Sequence, residues 1–212
     1  MLKARRHLLL ASAACVAAPA LASSQRALAA MTDGPFYPPV RWRERWTDWD
    51  ADLVHVQQGG RTLTARGEHL GLALRVADTQ GRVIDGVEVE IWQCDALTAY
   101  RHPRVAQEPG SFDAGFQGFG SARSDRQGNL RFLTIKPVPY PGRTPHIHVK
   151  LRHATFGELT SQLFVDGDAG NAGDVLWRSL AAADRGPLAM RLQPAADAGL
   201  RWTAQHVLRV PE

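Results

Sequence analysis

The sequence predicts an all-β protein, an antiparallel β-sandwich with an irregular N-terminal arm. Apolar and polar residues alternate with period two through "HLGLALRVAD", "VEVEIWQC" and "HIHVKLR", the pattern of strands with one buried face. Turn signals such as "TQG" and "VIDG" separate these segments, and strands recurring every roughly 8–12 residues are the mark of a sandwich. The best helical candidate, "AGDVLWRSLA", is short and peripheral. No internal repeat, low-complexity tract or second domain interrupts the pattern.

The first element is a leader. "MLKARRHLLLASAACVAAPALA" has a basic start, an apolar alanine-rich run and small residues in A-x-A arrangement, which is the build of a cleaved signal peptide. Residues 1–29 are therefore expected to be removed, with cleavage after Ala22 or Ala29, leaving residues 30–212 as one domain. The run is short for a membrane span and is broken by Pro19, so no stable membrane anchor is expected. Arg5 and Arg6 before Leu8-Leu9-Leu10 match the twin-arginine route, with Sec as the alternative. Either route predicts an exported protein, periplasmic or secreted.

Processing changes the charge. The chain carries 25 basic and 21 acidic residues, and four of the basic ones, Lys3, Arg5, Arg6 and Arg26, precede Ala29. Their loss leaves 21 basic against 21 acidic residues, so the net charge of +4 offers no case for nucleic acid, which would need a basic patch on a recognisable module. Only Cys94 follows the leader, which excludes an intrachain disulfide.

The arm comes next: "TDGPFYPP", then "RWRERWTDWD" with Trp42, Trp46 and Trp49 among charges. It suits either a subunit contact in a homo-oligomer or a cover over the core. The strands follow in "HLGLALRVAD", "VEVEIWQC", "SDRQGNLRFLTI", "HIHVKLR", "SQLFV" and "QHVLRV".

The chemistry concentrates in "PYPGRTPHIHV", residues 139–149. His146 and His148 share one face of a strand, because strand side chains alternate. Two imidazoles do not complete a metal site. The chain has only Tyr37, Tyr100 and Tyr140 as phenols; Tyr100 closes "EIWQCDALTAYRH", where a strand runs into a loop, and Tyr140 stands six residues before His146. Two phenols with two imidazoles would form a hard donor set that favours ferric iron over zinc. Each residue alone also has an ordinary reading, as a rim tyrosine or an exposed polar pair.

In context they do not stand alone. "DGPFYPP", "DLVHV", "ARGEHLGLALRVADTQGRVIDGVEVEIWQCDALTAYRH", "SDRQGNLRFLTIKPVPYPGRTPHIHVKL" and "TSQLFVDGD" resemble, in that order and over most of the chain after the leader, the intradiol ring-cleavage dioxygenases. That family includes protocatechuate 3,4-dioxygenase and catechol 1,2-dioxygenase. The resemblance implies that Tyr100, Tyr140, His146 and His148 bind Fe(III), with Tyr140 the ligand released when substrate chelates. It implies that Arg143 lies over the substrate ring and that Gln162 is a pocket glutamine. The implied substrates are a catechol-type diol and O2, and the implied product is a cis,cis-muconate type diacid. A guanidinium suits its role because it cannot deprotonate and stacks on planar rings.

Two departures stand out. Gly142 occupies the place where the better-known members carry tryptophan, and the insert before the histidines is short, as in the exported single-domain members. A cupin reading fails because Leu151 and Arg152 stand where a glutamate is needed, and an H-x-H-x-D hydrolase fails at Lys150. The remaining alternative is a non-catalytic β-sandwich binding module of the same fold. Retention of all four donors with Arg143 and Gln162 argues against it.

Overall fold

The computed structural model describes residues 25–39, 41, 48–105 and 110–212. Of residues 1–29, expected to be a signal peptide, the first 24 lie outside the described residues, as do Trp42 and Trp46 of the arm. A polar hairpin comes first, β1 (His55–Gln58) and β2 (Arg61–Thr64). Its two-residue turn, Gly59-Gly60, has φ of 57° and 74°, as a type I′ turn requires. The main strands are β3 (His69–Asp78), β4 (Glu88–Trp92), β5 (Phe119–Arg123), β6 (Asn129–Ile135), β7 (His146–His153) and β8 (Gly157–Val165). A 3-10 turn at Ala169–Gly173 leads into two short helices, α1 (Val175–Ser179) and α2 (Ala182–Leu188). The fold closes with β9 (Ala189–Met190), β10 (Leu192–Pro194) and β11 (Trp202–Val210).

Two sheets make the sandwich, in the orders β10-β11-β3-β6 and β5-β4-β7-β8-β9. The all-β sandwich expected from periodicity is what the chain forms. Most pairings are antiparallel, but β11 runs parallel to β3 and β9 parallel to β8. The closing segment "QHVLRV" reaches its place only after a long crossover, and such connections permit parallel pairing. Between the sheets lie Leu70, Leu72, Leu74 and Val76 of β3 against Val89 and Ile91 of β4 and Ile147, Val149 and Leu151 of β7, all buried. Each such side chain contributes about 1.5–3 kcal/mol by leaving water.

In β7 the odd residues fill this core, and the even ones, His146, His148 and Lys150, are buried as well, on the opposite face. That outer face is covered by the N-terminal segment and the loops around Tyr100 and Tyr140. Residues 25–31 run along the open seam between the sheets. The Gln25 amide donates to the Thr79 carbonyl, Leu28 to Arg209 and Met31 to Thr160, each at 2.8 Å. The Ser161 hydroxyl donates to the Ala29 carbonyl at 2.7 Å, and Leu28 is 3% exposed within the core. This segment thus ties β11 of one sheet to β8 of the other. Among the described residues no helix is long and apolar enough to cross a membrane.

Candidate metal centre

Tyr100 is delivered by a tight turn after β4. The Asp95 carboxylate accepts from the Leu97 and Ala99 amides at 2.8 and 2.9 Å, and Thr98 takes the left-handed conformation at φ 67°. Asp and Asn commonly bind the backbone two residues on in this way. Tyr140 and Arg143 are the two ends of a second turn, bonded backbone to backbone (2.8 and 3.2 Å) around Gly142 at φ 82°. A side chain on Gly142 would meet nothing within 4 Å. Glycine is there for its φ, and a side chain at this position would face open space.

His146 and His148 follow on β7, ring centroids 4.9 Å apart. The structure gathers all six residues singled out from the sequence. Tyr140 lies 5.5 Å from His146 and 5.7 Å from Tyr100, ring to ring, and Tyr100 lies 6.2 Å from His148. The Tyr100 hydroxyl approaches His146 Nε2 at 3.5 Å. Strand register places Gln162 directly opposite His148. Arg143 donates from Nη2 to Gln162 Oε1 at 2.5 Å and from Nε to Asp174 at 2.8 Å.

Packing fixes these rings. Trp92 stacks on His148 at 4.7 Å with planes 10° apart, and Phe36 stacks on Tyr100 at 4.7 Å. Gly34, at φ 71°, passes so close that a Cβ there would sit 3.4 Å from His148 Cε1. The "DGPFYPP" segment therefore forms one wall of the centre.

Burial governs the electrostatics. It lowers His146 to about 4, helped by the Arg143 charge. It holds His148 well below the usual imidazole range, with His146 and Arg143 adding to the effect. It raises Tyr100 well above the usual phenol range, with Tyr140 adding to it. Both imidazoles are thus neutral, the form a metal ligand must have. His146 Nδ1–H donates to the Thr144 carbonyl at 2.7 Å, which leaves Nε2 with its lone pair. His148 Nδ1, Gln162 Nε2 and Trp92 Nε1 are buried with no partner among the described residues, although more than nine in ten buried polar groups in folded proteins find one. Two phenol oxygens and two imidazole nitrogens brought together here fit a hard, oxophilic trivalent ion. Among the described residues no cluster of three or more His, Cys, Asp or Glu offers a competing metal site.

Sequence reasoning missed the supporting residues Thr144, Asn171 and Asp174. Asp174 before "VLW" carries a legible signal, but it is the signal of a helix N-cap. Its link to Arg143 spans 31 residues and is visible only in the fold.

The class defined by fold and site is a β-sandwich with a mixed oxygen and nitrogen donor cluster on the outer face of one sheet. The family described as Dioxygenase matches residues 33–207. The protocatechuate 3,4-dioxygenase beta chain of Burkholderia cepacia is 33% identical over 177 residues, covering 74% of this chain and 75% of its own. Hydroxyquinol 1,2-dioxygenase of Corynebacterium glutamicum is 26% identical over 141 residues, 55% of this chain and 43% of its own. The dioxygenase domain of a dioxygenase carbohydrate-binding protein fusion from Streptomyces sp. SirexAA-E superposes with a TM-score of 0.63 at 24% identity. It covers 88% of this chain and 99% of that domain, a likeness of fold. The chain belongs to the intradiol ring-cleavage dioxygenase family.

Proposed function

We propose that this protein is an Fe(III)-dependent intradiol dioxygenase that cleaves a catechol-type diol between its two hydroxyl-bearing carbons, using O2, to a cis,cis-muconate type diacid. The observation that carries the reading is the convergence of Tyr100, Tyr140, His146 and His148 beneath Arg143 and Gln162. Tyr100, Tyr140, His146 and His148 would hold the ferric ion, which when bound would supply Lewis-acid and redox chemistry to the diol. The phenolate oxygen of Tyr140 would take one of the diol protons. Tyr140 suits the part because it sits at the end of a turn and is partly exposed, whereas Tyr100 is 4% exposed and stacked under Phe36. Arg143 would hold its positive charge over the ring where negative charge develops. Phe36, Trp92 and Gly34 would keep bulk water from the donor atoms.

The test is a visible spectrum of the purified protein with iron assayed, before and after anaerobic catechol. A red-brown phenolate-to-iron band that shifts with catechol is expected. An iron-loaded protein without colour would remove the tyrosines as ligands and bring the binding-module reading forward.

Export completes the reading, through a signal peptide cut after Ala22. Cleavage after Ala29 would discard Leu28 and the backbone bonds that close the seam, and losing a buried leucine side chain alone costs about 2–5 kcal/mol. The intact mass of the exported protein should correspond to a chain starting at Ser23. A start at Ala30 would contradict this.

A further inference from the structure

We infer that Asp174 is the positioning residue for Arg143, locking the guanidinium in one orientation over the site. Its side chain is fully buried, at 0% exposure against 16% for Arg143. One carboxylate oxygen, Oδ2, accepts from Arg143 Nε at 2.8 Å and from the Thr144 amide at 2.9 Å. The other, Oδ1, accepts from the Leu176 and Trp177 amides at 2.9 and 3.0 Å and so caps α1. With Nη2 held by Gln162 Oε1, the guanidinium is fixed at two of its three nitrogens. Nη1 is left for an oxygen of the substrate. A planar fork held in this way presents its remaining N–H groups at a fixed place with little rotamer entropy to lose.

The same carboxylate reaches the ligand strand. Thr144, held by Asp174 through its amide and by Asn171 Oδ1 through its hydroxyl at 2.9 Å, offers the carbonyl that orients His146. Thr144 keeps its own hold on the fold through Asn171, so the approach to His146 does not depend on this aspartate alone, whereas the Arg143 Nε–H has no other acceptor among the described residues.

This inference rests on the proposed dioxygenase reading for its kinetic test, so the experiment separates the two. Asp174→Ala, Arg143→Ala and the double variant are compared with the unaltered iron-loaded enzyme, using catechol as probe. Asp174→Ala is expected to keep its iron and its visible band. Its kcat should fall roughly ten- to hundredfold, while KM moves by less than about threefold. In the Arg143→Ala background the same substitution should change kcat by less than about twofold, because the residue it positions is gone. Additive losses, or an unchanged kcat in the single variant, would overturn the assignment. Should Asp174→Ala not fold, Asp174→Asn keeps one oxygen for the helix amides and sets an NH2 group against Arg143 Nε–H. A similar loss is expected there, and wild-type kcat would again overturn it. If the unaltered enzyme turns over neither catechol, protocatechuate nor hydroxyquinol, the dioxygenase reading fails, and the clamp is judged by NMR of the metal-free protein. A protected Arg143 Nε–H resonance, assigned by its loss in Arg143→Lys, must then disappear in Asp174→Asn; its persistence refutes the clamp.

Discussion

Strand β7 carries two different regions on one face. At one end are His146 and His148; at the other are Lys150 and Arg152, two and four residues on. All four side chains point to the same side of the sheet, and the first three are almost wholly buried. At the far end every charge is met. Lys150 Nζ lies 2.8 Å from Asp33, 3.3 Å from Glu158 and 4.1 Å from the Tyr37 ring centre. Arg152 reaches Glu158 at 2.7 Å, Glu90 at 3.1 Å and the Tyr37 hydroxyl at 2.9 Å. At the histidine end His148 Nδ1, Trp92 Nε1 and Gln162 Nε2 have no partner among the described residues. The same fold thus satisfies one half of the strand internally and leaves unpaired polar groups beside the other. Unmet buried polar groups are costly; others lie elsewhere in the fold, at Gln117, Arg185 and Arg209, so they point to a site only where, as here, they stand beside converging phenols and imidazoles.

The contrast can be broken from either end. The largest effect is expected from His148→Ala, which should abolish bound iron and the visible band while leaving the metal-free protein folded. Lys150→Met should do the reverse: iron content and band unchanged, but stability lower by about 1–3 kcal/mol, less than for a wholly buried pair because its partners are half exposed. Iron assay and denaturant unfolding of the metal-free proteins check both. Iron loss in Lys150→Met would mean that the two ends are not independent.

The smallest effect concerns pH. Burial pushes the Asp33 carboxyl upward, but hydrogen bonds from Lys150 and Thr160 outweigh it and hold the group below its ordinary 3.8. A carboxylate depressed on folding stabilises fully above its unfolded value and loses that contribution as pH falls through the folded one. The stability difference between the unaltered protein and Asp33→Asn should therefore be constant from pH 7 down to about 5 and shrink below the usual aspartate range. Urea midpoints at pH 7, at about pH 5 and below the usual aspartate range of about 3.9 measure it, and a difference that grows on acidification would contradict the assignment.

How much of this was legible in the chain varied with the reach of the signal. Strand β3 runs over the ten residues that its alternation marked, and α1 falls inside the best helical segment. The hairpin β1–β2 carried too few apolar residues to register as strands. Strand β5, "FGSAR", is set by its pairing with β4 and by Gly120, whose missing side chain lets the Asp50 carbonyl and Leu53 approach. No local pattern encodes that. The four donors were legible because each sits in a long, specific context. Leu28 was not: an isolated leucine among alanines reads as leader, and only its tertiary partners give it a place in the core. Asp174 likewise reads as a cap, its second duty being set by a residue far away in the chain.

One consequence of the β7 pattern reaches beyond the site. Because His146, His148, Lys150 and Arg152 alternate with Ile147, Val149 and Leu151, a slip of this strand by one residue against β4 or β8 would turn four polar side chains into the apolar interior and expose three aliphatic ones. No neighbouring alignment offers a partial compromise. The spacing that sets two imidazoles side by side therefore also disfavours every slip by an odd number of residues, so folding intermediates mispaired by one residue should be poorly populated.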